Sequence, residues 1–131
     1  MGLVTLEIMQ NEFNLKQNIL FEDDWLLAID KPSGLIVNRS KTAKEKTLQD
    51  YIDEIFEFKG SEVFVDRSGI VHRLDKDTSG VIIIAKDQKS FEKLQQNFKK
   101  REVDKEYIAL VHGSVEDEII EIDAPIGRSP L

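Results

Sequence analysis

Two kinds of hydrophobic pattern divide this chain. Val81 to Ala85 reads Val-Ile-Ile-Ile-Ala, with no alternation, and so predicts a strand buried on both faces. Ile19-Leu20-Phe21 and Trp25 to Lys31 flank the acidic turn Glu22-Asp23-Asp24 and predict two short strands. Pro32-Ser33-Gly34 predicts a further turn, because proline fixes φ and glycine permits φ > 0. Leu35-Ile36-Val37 resumes an extended path. Val103 to His112 and Ile119 to Ile122 are two more candidate strands, and residues 2 to 9 admit another without clean alternation.

The second pattern is helical. Thr47-Leu48-Gln49-Asp50 has the form of a capping box. After it, Leu48, Tyr51, Ile52, Ile55 and Phe56 recur at the spacing of one helix face, with Lys59-Gly60 as the stop. Asp87 caps a second helix, whose inner face is Phe91, Leu94 and Phe98. Val63-Phe64-Val65 and Gly69-Ile70-Val71 read only as short apolar pieces. The class that follows is α+β: a mixed, mainly antiparallel sheet with two inserted helices, in one domain over residues 1–131.

Composition narrows this picture. With 40% hydrophobic and 33% charged residues, the 131-residue chain is of globular type with one modest core. No apolar run approaches the ~20 residues of a membrane span, and the N-terminus has no basic, cleavable leader pattern. The expected location is cytoplasmic, with no membrane partner. There are no cysteines, so neither disulfides nor thiolate chemistry enters. The 25 acidic against 18 basic residues leave a net charge of −7, which by itself speaks against a polyanionic partner. A local patch can still carry the opposite sign. Lys89, Lys93, Lys99, Lys100 and Arg101 on or after the second helix are such a cluster, although cations there also suit the helix dipole.

The chemistry concentrates in His72 to Gly80, the loop delivered to the end of the Val81–Ala85 strand. It holds an imidazole, a guanidinium, two carboxylates, two hydroxyls and a glycine. Asp75 and Asp77 read as paired acids, metal ligands or turn residues. With only His72 and His112 as imidazoles and no thiols, no metal site is expected. Asp77-Thr78-Ser79-Gly80 differs from the Asp-Thr-Gly loop of aspartic proteases, since its glycine falls one residue late. No Gly-x-Ser-x-Gly elbow surrounds Ser79, so a Ser79–His72 nucleophile is disfavoured. Taken singly, Tyr107 is a half-buried strand aromatic and Arg73 a surface ion-pair partner.

His72-Arg73-Leu74-Asp75, continuing through Thr78-Ser79-Gly80 to Ala85-Lys86, resembles the signature of the RluA-type RNA pseudouridine synthases. Ile19 to Asp24 with Ile29-Asp30-Lys31-Pro32-Ser33-Gly34-Leu35 resembles the opening strands of that family and its Lys-Pro-x-Gly turn. Val103 to Val111 resembles its Lys-x-Tyr strand. The resemblance implies isomerisation of uridine to pseudouridine in structured RNA, rRNA or tRNA, with no cofactor. It makes Asp75 the catalytic carboxylate and Tyr107 the aromatic that stacks on the base. It makes His72, Arg73, Thr78, Ser79 and Arg128 RNA-binding, with Arg73 filling the space of the flipped-out nucleotide. The family's later Gly-Arg-x-His-Gln-x-Arg-like block, with its basic partner for the aspartate, has no counterpart between Arg128 and Leu131. The expectation is an N-terminal portion of the catalytic domain, truncated at its C-terminus, with self-association or a complementing C-terminal chain to complete it. The alternative is a non-catalytic RNA-binding or assembly module of the same family.

Overall fold

The computed structural model describes residues 13–41 and 44–127. The extended reading of residues 2 to 9 and the Arg128 assignment lie outside them. The architecture is α+β. A 3-10 turn at Leu15–Asn18 leads into β1 (Ile19–Glu22) and β2 (Leu26–Lys31). Helices α1 (Leu48–Asp53) and α2 (Glu62–Asp66) follow, then β3 (Gly80–Ala85) and α3 (Gln88–Lys99). The three strands form one antiparallel sheet in the order β1-β2-β3.

Strand period explains the core. Leu27, Ile29 and Lys31 point to one face of β2, opposite Ile84, Ile82 and Gly80 of β3. Leu27, Ile29, Ile82 and Ile84 are fully buried there with Leu15, Val37, Leu48 and Ile52. Each such aliphatic side chain stabilises the fold by about 1.5–3 kcal/mol relative to its exposed state. A smaller cluster of Phe64, Ala85 and Phe91 docks α2 and α3 beside it.

The acidic turn forms as its residues suggest. Asp23 Oδ1 accepts from the Trp25 and Leu26 N–H groups, both at 2.8 Å. The capping box is also present. Thr47 accepts from the Asp50 N–H, and the Asp50 carboxylate accepts from the Thr47 N–H at 2.7 Å. Burial pushes the Asp50 carboxyl up, but the Thr47 hydroxyl and N–H and the Arg39 guanidinium outweigh it and bring it down to about 2. At α3, Asp87 accepts from the Ser90 N–H at 2.9 Å, as a cap should.

Four expectations need correction. First, α1 stops at Asp53 rather than running to Lys59-Gly60. Its end tightens, with the Ile55 N–H donating to the Ile52 carbonyl, and Phe58 leaves the helical path to meet Phe64 edge-on at 5.4 Å. Second, Val63-Phe64-Val65 is helical, capped by Ser61, so the sheet carries three α-helices rather than two. Only Phe64 of that trio is buried, since one turn of helix turns a single face inward. Third, β3 is not buried on both faces. Ile82 and Ile84 are enclosed, whereas Val81 is 49% exposed and Ile83 half-buried. Fourth, Val103 to His112 and Ile119 to Ile122 form no strand. A strand needs a hydrogen-bonded neighbour, and among the described residues none pairs with them. Tyr107, Ile108, Leu110, Ile119, Ile122 and Ile126 consequently face outward. No helix among the described residues is long and apolar enough to cross a membrane.

Candidate active site

The loop from His72 to Gly80 is tied at both ends. At its base, the Gly69 carbonyl accepts from the Ala85 N–H at 2.9 Å and Ile70 bridges to Ile84. His72 then accepts from the Ile83 N–H through Nε2 at 2.9 Å. That bond closes part of the outer edge of β3 and requires a neutral ring with its proton on Nδ1. The ring stacks on Phe98 of α3, with centroids 4.5 Å apart and planes 21° from parallel. Burial pulls the His72 pKa down, and Lys105 adds to the effect. The neutral, accepting form is therefore the favoured one.

The middle of the loop is a turn, with the Thr78 N–H donating to the Asp75 carbonyl at 3.2 Å. The turn after β2 holds it. The Gly34 N–H donates to the Lys76 carbonyl at 2.9 Å, and Ser33 Oγ donates to the Asp77 carbonyl at 2.8 Å. Gly34 has φ +89°, which suits a residue without a Cβ. The fully buried Lys31 ammonium lies beneath both turns and also donates to the Lys76 carbonyl, at 3.0 Å. Outside, the Lys76 ammonium pairs with Glu45 at 3.0 Å.

An open cleft of about 740 Å³ lies beside this loop, between β3, the end of α3 and residues 103–108. His72, Thr78, Ser79 and Tyr107 line it, together with Asp77, Phe98 and Lys105. The structure thus brings four of the sequence-identified residues together. Asp75 and Arg73 do not line the cleft. Both are exposed, and among the described residues neither side chain has a hydrogen-bond or salt-bridge partner. Asp75 sits between Leu74 and the Asp77–Gly80 segment, both of which line the cleft. Tyr107 is 61% exposed and lines the same cleft.

A family model described as RNA pseudouridylate synthase matches residues 25–129. The chain belongs to that family. An uncharacterized RNA pseudouridine synthase of Helicobacter pylori is 36% identical over 131 residues, covering 97% of this chain and 39% of the relative. Ribosomal large subunit pseudouridine synthase D of Nitrosomonas europaea is 42% identical over 113 residues, covering 86% of this chain and 32% of the relative. The solved human RNA Pseudouridylate Synthase Domain Containing 4 is 26% identical, with a TM-score of 0.49, covering 67% of this chain and 31% of that one. The chain spans about a third to two fifths of the length of these curated relatives. Its matched region is the N-terminal part of the pseudouridine synthase catalytic domain.

Three further residues belong to the surroundings of this loop and cleft. Lys31 ends the strand predicted over Trp25 to Lys31 and opens the following turn, and the Leu27-x-Ile29-x-Lys31 alternation puts it on the core face. Phe98 falls on the inner face of the predicted helix, and nothing in its spacing marks it as the platform for His72. Lys105 falls in the strand expected over Val103 to His112, with no signal that it lines the cleft.

Proposed function

We propose that this chain supplies the catalytic loop of an enzyme that isomerises uridine to pseudouridine in structured RNA, either rRNA or tRNA. The observation that carries the reading is the tethered His72–Gly80 loop, with Tyr107 lining the same cleft. Asp75 is the catalytic carboxylate and meets the flipped nucleoside at the rim of the cleft. The uracil leaves the ribose through N1 and rejoins through C5, so the C5 proton is lost and N1 gains one. No electron is transferred and no external group is donated, so the reaction calls for no redox cofactor. Tyr107 stacks on the base and assists removal of the C5 proton. Arg73, with its guanidinium unpaired among the described residues, fills the space that the extruded base leaves in the helix. His72, Thr78 and Ser79 shape the loop against the RNA backbone, and Arg128 adds a phosphate contact. The exposed cations Lys89, Lys93, Lys99, Lys100 and Arg101 give a chain of net charge −7 a local polyanion-facing surface. The work is placed in the cytoplasm, on RNA, with self-association or a complementing chain to close the cleft.

The reading is tested with ribosomal or transfer RNA transcripts labelled with tritium at uridine C5. Isomerisation releases the label to water, and Asp75→Asn is expected to abolish the release. Unchanged release in that variant would remove Asp75 from the mechanism. A second reading, a non-catalytic RNA-binding or assembly module, draws on the exposed apolar side chains between Tyr107 and Ile126, which suit assembly. It predicts salt-sensitive RNA binding without release of label.

A further inference from the structure

Lys31 is 0% exposed, on the core face of β2 beside Leu27 and Ile29. An isolated ammonium is strongly disfavoured in such surroundings. Here its three N–H donors meet three carbonyls: Pro32 at 2.9 Å, Leu35 at 2.9 Å and Lys76 at 3.0 Å. Two of these oxygens belong to the turn that follows β2. The third belongs to the Asp75–Thr78 turn, 45 residues further along the chain. The Lys76 carbonyl also takes the Gly34 N–H, and Ser33 ties the Asp77 carbonyl, so the two turns form one unit around one cation. None of the three bonds goes to a carboxylate. The charges of Asp77 and then Asp75 nevertheless favour the ammonium, against the desolvation that lowers its pKa.

We propose that Lys31 is a positioning residue for Asp75: its buried ammonium fixes the backbone of the Asp75–Thr78 turn against β2 and so aims the Asp75 carboxylate at the substrate. This rests on the role of Asp75 proposed above. Lys31 does not touch the nucleotide. A side chain that only filled volume would be replaced by methionine without consequence, since methionine has similar length and no donor.

The test compares wild type with Lys31→Met by amide hydrogen exchange and by tritium release from a C5-labelled ribosomal RNA transcript. The expected result is exchange at the Gly34 and Thr78 amides at least tenfold faster, with the β2–β3 ladder within about twofold of wild type. Alongside it, kcat is expected to fall at least tenfold with KM within about twofold. Unchanged exchange at Gly34 and Thr78, or equal acceleration throughout the ladder, overturns the proposal. So does a change in KM alone. If Lys31→Met does not fold, the wild-type Lys31 ammonium is read directly by nitrogen NMR. A resolved signal with slowly exchanging protons, which moves on Asp75→Asn, supports the proposal, and a freely exchanging ammonium overturns it. Full release of label by Asp75→Asn, or none by wild type, defeats the assignment of Asp75 and not the hold of Lys31 on the turn, which the exchange data decide separately.

Discussion

Gly69→Ala should be among the most damaging single-methyl additions to this fold, and the reason is local. Gly69 has φ +71° and lies where the chain enters the candidate loop. The left-handed conformation costs a residue with a Cβ about 1–2 kcal/mol. The added Cβ would also lie 2.1 Å from the Ala85 carbonyl oxygen and 2.9 Å from Phe58 Cε1, where ordinary contact begins at 3.4 Å. The obstacle at Ala85 is backbone, so the segment itself has to move. That movement breaks the bond from the Ala85 N–H to the Gly69 carbonyl, worth about 1 kcal/mol, and loosens the Phe58–Phe64 pair, worth about 0.5–1.5 kcal/mol. The expected loss is roughly 2.5–4.5 kcal/mol, a large share of what a domain this size has. Gly34→Ala is the matched control. It has φ +89° but nothing within 4 Å of its Cβ, so it bears only the conformational cost of about 1–2 kcal/mol. Urea unfolding followed by far-UV circular dichroism compares the two. If Gly69→Ala falls within about 1 kcal/mol of Gly34→Ala, the steric argument is wrong.

The His72 pKa is depressed in the fold, so its contribution to stability is complete above the ordinary value of 6.5 and is lost as pH falls from there toward the folded value. Unfolding measured between pH 7 and pH 5 should show that loss, and His72→Asn should remove it. Asp50 acts in a separate window, losing its contribution only as pH falls from 3.8 toward about 2. Arg101 follows the Lys100 cap of α3 with φ +58°, in a turn where the Glu102 N–H donates to Asn97 and the Arg101 N–H to Phe98. Arg101→Gly should raise stability by up to about 1 kcal/mol, seen as a higher urea midpoint, and an unchanged or lower midpoint counts against the αL assignment.

Much of this molecule is legible in short stretches of sequence. Thr47 and Asp50 form a capping box, and Asp87 caps α3, because such bonds close within three residues and need no distant partner. The β1–β2 hairpin follows from Asp23 in the same way. The signature from His72 to Lys86 and the Lys105-x-Tyr107 motif also stand in the primary sequence, and with them the family. Tertiary structure decided everything that depends on a neighbour. It ended α1 early, where Phe58 turned aside to meet Phe64. It left Val81 exposed on a strand of uniform composition, because periodicity cannot say which faces are covered. It kept residues 103–112 out of any strand, since a β-strand exists only with a partner to receive its hydrogen bonds. It also made His72 an acceptor for β3 and put the Lys31 ammonium beneath the Asp75 turn, two roles set by carbonyls and amides far away in the chain.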